Sequence, residues 1–318
     1  MCGIAGFADF NRQTSEATLR KMTDVISHRG PDGDGHYMNN GEEVCLGLGH
    51  RRLSIIDLSN AASQPMYYKS LVLIFNGEIY NYAEIRAELE AKGHQFVTHS
   101  DTEVILHAYE EWGANCLSRF IGMYTFVIHD KDSNLLFCVR DRAGVKPFFW
   151  YYADGLFLFG SELKSFHQHP GFRKELNTDA IAAFMQFGYV PTPHCIFRNT
   201  HKLQPGHHLT VNLQSREIKI GKYWDVMDAY NQPKLDISLP EAISESENIL
   251  EKAFQYRMVA DVPVGVFLSG GYDSTCVTAL LQKNSGTKIN TFTIGVHDKG
   301  LNEAPFAKAT AAHLGTNH

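Results

Sequence analysis

The chain changes rhythm once, and that change limits its possible folds more than any other feature. Over roughly the first 210 residues, short apolar or alternating runs recur at 3–8, 45–49, 53–57, 71–75, 123–129, 135–140, 147–152, 156–160 and 207–212, the spacing of many short strands. Two helical patterns interrupt them: 78–91, with Ile79, Tyr82, Ile85 and Leu89, and 101–112, with Val104, Ala108 and Trp112. This order predicts an antiparallel, layered α+β domain over 2–212. A polar stretch rich in turn formers, 213–238, reads as a linker. From 239 to 318 the pattern becomes helix 240–258, buried strand 264–268, helix from 273, strand 289–296 and helix 303–314, which predicts a parallel α/β sheet.

Composition narrows the chemistry. With 318 residues, 44% of them hydrophobic, the chain can bury a substantial core in two domains. A net charge of −6 and a pI near 6.2 argue against a surface that neutralises nucleic-acid phosphates or anionic lipid. Small molecules are the expected partners, with no nucleic acid and no membrane. No apolar run approaches the ~20 residues of a membrane span and no leader pattern opens the chain, so a cytoplasmic location is expected. The six cysteines lack CxxC spacing and the sixteen histidines lack HExxH spacing, so no metal site or disulfide framework is expected. Cys45, Cys116 and Cys138 lie in apolar runs and read as small core residues. His167/His169 beside Pro170, and His207/His208 beside Gly206, read as solvated loops.

Three short segments carry chemistry. In Met1-Cys2-Gly3-Ile4, removal of Met1 would leave one residue with both a thiol and a free α-amine. The amine's pKa, about 7.7–8, is close to the thiol's ~8.5, so it can take the thiol proton unaided. Taken alone, Cys2 reads first as an ordinary small residue near a chain end. Asn76-Gly77 follows the apolar run Leu71–Phe75 and reads either as a turn or, because no strand follows and Glu78 opens a helix, as donors to an oxyanion at an irregular junction. Ser269-Gly270-Gly271-Tyr272-Asp273-Ser274 places a glycine-rich loop at a helix N-terminus, which suits phosphate but lacks the lysine of a Walker motif. A plain strand-to-helix turn is the alternative.

Met1-Cys2-Gly3-Ile4-Ala5-Gly6, His28-Arg29-Gly30-Pro31-Asp32-Gly33, His50-Arg51-Arg52-Leu53-Ser54-Ile55, Phe75-Asn76-Gly77-Glu78-Ile79-Tyr80-Asn81 and Ser100-Asp101-Thr102-Glu103 together resemble the class II glutamine amidotransferase domain of glutamine-hydrolysing asparagine synthetases. The SGGYDS loop is similar to the pyrophosphate loop of their ATP-pyrophosphatase domain. The resemblance implies an N-terminal nucleophile hydrolase sandwich of α/β/β/α layers, followed by the start of a parallel-sheet synthetase domain over 239–318. It implies Cys2 as nucleophile with its own amine as base, and Asn76 with the Gly77 N–H as oxyanion hole. Arg52 would hold the α-carboxylate of glutamine, Glu78 and Asp101 its ammonium, with Leu53 and Ile55 lining the pocket. A zwitterionic amino acid calls for such a fixed cation and paired acids. Arg51 reads as a surface charge, and Asp101 has a second reading as a helix N-cap.

Leu268, Ser269, Gly270, Gly271, Asp273, Ser274 and Ile294 would bind ATP, with Mg2+ on its phosphates; the glutaminase half needs no cofactor. Substrates would be glutamine, aspartate and ATP, and a homodimer is compatible. The chain ends at His318 before an adenylating domain is complete, so only the glutaminase half is expected to work alone. Two alternatives stay open: an amidotransferase for another carboxylate such as a polysaccharide sugar acid, and a non-catalytic glutamine- or nucleotide-binding module.

Overall fold

The computed structural model describes residues 2–298 and 300–318, so Met1, whose removal is expected above, lies outside the described residues. The chain divides into two compact units, one reaching Gln232 and one spanning Pro233–His318.

The first unit is built on two antiparallel sheets. One has the order β10 (Thr200–Lys202), β8 (Phe149–Ala153), β9 (Leu156–Gly160), β1 (Gly3–Asp9), β3 (Cys45–Arg52), β2 (Gly33–Asn40). The other runs β12 (Ile218–Lys222), β11 (His207–Asn212), β7 (Leu135–Arg140), β6 (Gly122–Asp130), β5 (Leu71–Ile79), β4 (Met66–Tyr68). Ile4, Leu46, Leu48, Phe157 and Phe159 of the first sheet meet Val72, Ile74, Val127, Leu136 and Leu209 of the second in a common core. The outer faces are covered by helices. Leu71, Leu73 and Phe75 pack with Ile85 and Leu89 of α2 (Tyr82–Ala91) and Val104 and Ile105 of α3 (Asp101–Trp112). Ala5 and Phe7 pack with Leu19 and Met22 of α1 (Glu16–Asp24), and with Phe166 of the short α4 (Leu163–Phe166). β5 therefore alternates its side chains between two dry cores, and so reads as one continuous apolar run. The layers are helix, sheet, sheet, helix. A further helix, α5 (Thr178–Phe187), and a short α6 (Val226–Tyr230) complete the unit.

Several expectations are corrected here. Residues 53–57 form no strand: the Leu53 N–H is directed to the Cys2 sulfur instead of a ladder, and Asp57 takes a φ of 53°. The Asn76-Gly77 pair is neither a turn nor an irregular junction. β5 stays paired with β6 through Ile79↔Gly122, and the helix expected from 78 begins only at Tyr82. The presumed linker 213–238 contains β12, which pairs with β11 from His207↔Lys222 to Val211↔Ile218. His169 is buried, bonded to Thr14 Oγ1 at 2.8 Å, and His208 lies in β11 with its ring 5.3 Å from Phe137, so neither is a solvated loop residue. Cys45, Cys116 and Cys138 are buried.

The second unit is small. α7 (Leu239–Tyr256) opens with a capping box between Ser238 and Glu241. β13 (Gly265–Phe267) pairs in parallel with β14 (Asn290–Phe292), and α8 (Tyr272–Lys283) and α9 (Ala304–Leu314) complete it. The strand expected to be buried is not: Phe267 is 75% exposed, because a two-stranded sheet covers few faces. Leu268, Ala307 and Ala311 cluster in its core, and Leu281 and Ile289 are buried as well. Among the described residues no helix is long and apolar enough to cross a membrane.

Candidate active site

β1 is central in its sheet, held by β3 and β9, and Cys2 sits at its head. The Cys2 carbonyl accepts Arg29 Nε–H at 3.0 Å, and the thiol is bracketed by the Leu53 backbone. Cys2 opens onto a pocket of about 150 Å³ shared with Arg52, Leu53, Ile55, Asn76, Gly77, Glu78 and Asp101. All the residues assigned above to glutamine thus converge on one cavity, although they come from four separate stretches of chain.

Two sheets meeting at this corner explain the convergence. Asn76 is fully buried on β5, and neither its amide oxygen nor its amide nitrogen has a hydrogen-bond partner in the fold. Such an orphaned amide costs about 1–3 kcal/mol unless something else binds it. On the same strand, the Tyr80 N–H donates to Ile121 across the β5–β6 pair, whereas the Phe75 N–H goes to Gln64 Oε1 and the Ile79 N–H to Asp101 Oδ2 on the other side. Antiparallel alternation then aims the Gly77 N–H at that side, between the Phe75 and Ile79 donors. Glycine is required there, since a Cβ on Gly77 would lie 2.3 Å from the Met123 carbonyl oxygen.

Arg52 and Arg51 separate as alternation on β3 demands. Arg52 is buried in the pocket, its guanidinium donating to the Ser59 carbonyl at 2.8 Å and to that of Asp57. Arg51 points the other way, pairing with Asp24 and lying 3.7 Å from Asp34. The N-cap of α3 is Ser100, whose side chain accepts the Thr102 N–H, while Asp101 accepts the Ile79 N–H at 2.9 Å and lines the cavity. Burial, reinforced by the neighbouring Glu78 charge, pushes the Asp101 carboxyl up to about 7. Burial also raises Glu78, against the pull of Lys146. Burial raises the Cys2 thiol too, despite the opposing Leu53 hydrogen bond, so a base is needed to ionise it. Sequence reasoning missed Lys146, Gln64 and Met123, which also line the pocket. Nothing local to those residues signals a site, because turns and strands distant in sequence deliver them.

In the second unit Gly271 caps α8 with no side-chain hydrogen bond, which leaves the helix's first N–H groups without a side-chain acceptor there. Ser269 and Ser274 bond to each other at 2.9 Å, Gly270 takes a φ of 83°, and Asp273 and Tyr272 are exposed. Leu268 is buried and Ile294 is 76% exposed. No group of three His, Cys, Asp or Glu that could hold a metal ion occurs among the described residues.

A double-sheet sandwich with a thiol at the head of its central strand defines the N-terminal nucleophile hydrolase class. Residues 1–224 match the family model of the glutamine amidotransferase domain, and 245–318 match that of asparagine synthase. The chain belongs to the glutamine amidotransferase domain family. It is 37% identical over 340 residues to a Methanocaldococcus jannaschii protein named putative asparagine synthetase [glutamine-hydrolyzing] 2, covering 100% of this chain and 64% of that one. It is 34% identical over 339 residues to asparagine synthetase [glutamine-hydrolyzing] 3 of Bacillus subtilis, covering 100% and 53%. The chain therefore spans between about half and two thirds of the length of these relatives. Its fold is similar to that of glutamine phosphoribosylpyrophosphate amidotransferase from Bacillus subtilis, with a TM-score of 0.51 at 19% identity, over 93% of this chain and 67% of that one.

Proposed function

We propose that the chain hydrolyses glutamine at Cys2 to glutamate and ammonia, as the glutaminase part of a glutamine-dependent asparagine synthetase. The orphaned amide of Asn76, buried in the pocket that holds the thiol, carries this reading. With Met1 removed, the α-amine of Cys2 takes the thiol proton, and sulfur attacks the glutamine amide carbon. Negative charge gathers on the amide oxygen, where Asn76 Nδ2 and the Gly77 N–H receive it. The proton passes to the departing nitrogen, ammonia leaves, and water then cleaves the thioester to glutamate. Arg52 faces the substrate carboxylate, and Glu78 and Asp101 its ammonium.

In the complete enzyme the ammonia would attack an acyl-adenylate of aspartate formed from ATP. Ser269, Gly270, Gly271, Asp273 and Ser274 would receive the nucleotide's phosphates, with Leu268 and Ile294 beside it and Mg2+ neutralising charge there. Ammonia release from glutamine by the chain lacking Met1 tests the reading. Activity that persists in Cys2→Ala, or that needs no Met1 removal, overturns it.

A further inference from the structure

The glutamine pocket contains a buried ammonium whose placement is tied to the oxyanion strand. Lys146 is 2% exposed and lines the cavity with Cys2, Asn76 and Glu78. The turn that delivers it winds around the Asp141 carboxylate. Oδ1 of Asp141 accepts the N–H groups of Ala143 at 3.1 Å and Val145 at 2.9 Å, and Oδ2 accepts that of Lys146 at 2.9 Å. Arg140 fastens the other side, donating from Nε to the Lys146 carbonyl and from Nη2 to that of Gly144, each at 2.8 Å. Asp141 also clamps Tyr124, its N–H donating to the Tyr124 carbonyl at 2.8 Å and its Oδ2 accepting the Tyr124 N–H at 3.3 Å. Tyr124 is the register partner of Gly77. Two residues therefore link the Lys146 backbone to the oxyanion position.

An ammonium this far from water requires anionic company, since an unpaired buried charge is strongly destabilising. The cavity carboxylate that acts on Lys146 is Glu78. Burial pulls Lys146 down from the usual lysine range, opposed by Glu78, Cys2 and Asp141, while Arg29 adds to the fall. Lys146 in turn lowers both Glu78 and Cys2.

We propose that Lys146 is a positioning residue of the glutaminase site, its ammonium keeping Glu78 ionised for the substrate's amino group and stabilising the Cys2 thiolate. This rests on Cys2 being the nucleophile. It adds a second cation to a pocket in which Arg52 is committed to the substrate carboxylate. The two cations have separate duties: Arg52 binds substrate directly, and Lys146 works through groups that bind or attack it.

The test uses the full chain and reads Cys2 without turnover, by the pH dependence of its alkylation with iodoacetamide, located by peptide mass spectrometry because Cys2 is half-buried and Cys276 is exposed. In Lys146→Met the Cys2 alkylation curve shifts upward by about one pH unit, so the rate near neutrality falls roughly tenfold. The acid limb of kcat/KM for glutamine moves to higher pH as Glu78 takes up a proton more readily. Lys146→Arg restores both. An alkylation curve unmoved in Lys146→Met, or moved equally in Lys146→Arg, overturns the proposal. If Lys146→Met does not fold, Lys146→Gln carries the same readout. Because alkylation needs no glutaminase activity, an inactive parent chain counts against the glutaminase reading, and an unmoved curve counts against Lys146 alone.

Discussion

The N–H of Leu53 points at the sulfur of Cys2 from 3.3 Å, while that sulfur reaches the Leu53 carbonyl at 3.4 Å. A thiol can donate to the carbonyl, but only a thiolate gains fully from the N–H, so one backbone residue meets both states of the sulfur. Cys2→Ala is expected to abolish ammonia release from glutamine, measured by coupled assay. Cys2→Ser should leave only a trace, because a hydroxyl is a far weaker nucleophile under so weak a base.

Asn76→Ala should reduce kcat by ~10²–10³ with little change in KM, as for removal of an oxyanion donor. Its melting temperature should stay near that of the parent or rise. The Asn76 amide has no partner in the fold, so its loss breaks no hydrogen bond. A stability loss without a kcat effect would make Asn76 structural.

Arg52→Ala should raise KM for glutamine at least tenfold, and Arg51→Ala should leave it nearly unchanged. Arg51 loses its pairings with Asp24 and Asp34, about 0–1 kcal/mol for pairs at the surface, and its hydrogen bond to the Thr23 carbonyl, none of which touches the pocket. Steady-state kinetics on the two variants check the ranking, and its reversal would place the substrate carboxylate elsewhere.

Asp101 couples pH to both stability and binding. Its carboxyl titrates at about 7 in the fold against the ordinary 3.8, so the folded chain holds that proton more tightly than the unfolded one. The stability from this group is full below about 4 and declines as pH rises towards 7. Melting curves of Asp101→Asn should lack this decline, and the difference from the parent should grow between those values. Glutamine binding runs the other way. The ionised carboxylate attracts the substrate ammonium, so KM should fall as pH rises through about 7 in the parent and stay flat in the variant.

The parts legible from sequence are those where local pattern and global packing agree. β5 declares itself because both of its faces are dry, and the opening of α3 because Ser100 caps it. Asn76-Gly77 misleads, since the pair favours turns, yet its strand continues against β6, a partner that arrives only after two helices. β2, with the sequence GDGHYMNN, has few strand formers and exists through its pairing with β3 from Gly33↔Arg52 to Asn40↔Cys45. The same holds for the site. The motif residues can be read off the chain, whereas Lys146 and Gln64 enter through turn geometry and a strand edge that no nearby residue pattern encodes.

The strand bearing Cys2 has both of its neighbours far along the chain, one at Cys45–Arg52 and the other at Leu156–Gly160. A ribosome-bound chain therefore has no seated thiol until roughly the first 160 residues have emerged and closed the sheet. Unfinished chains would thereby lack the chemistry proposed for Cys2: the pairing of β1 with β9 acts as an ignition lock on the thiol.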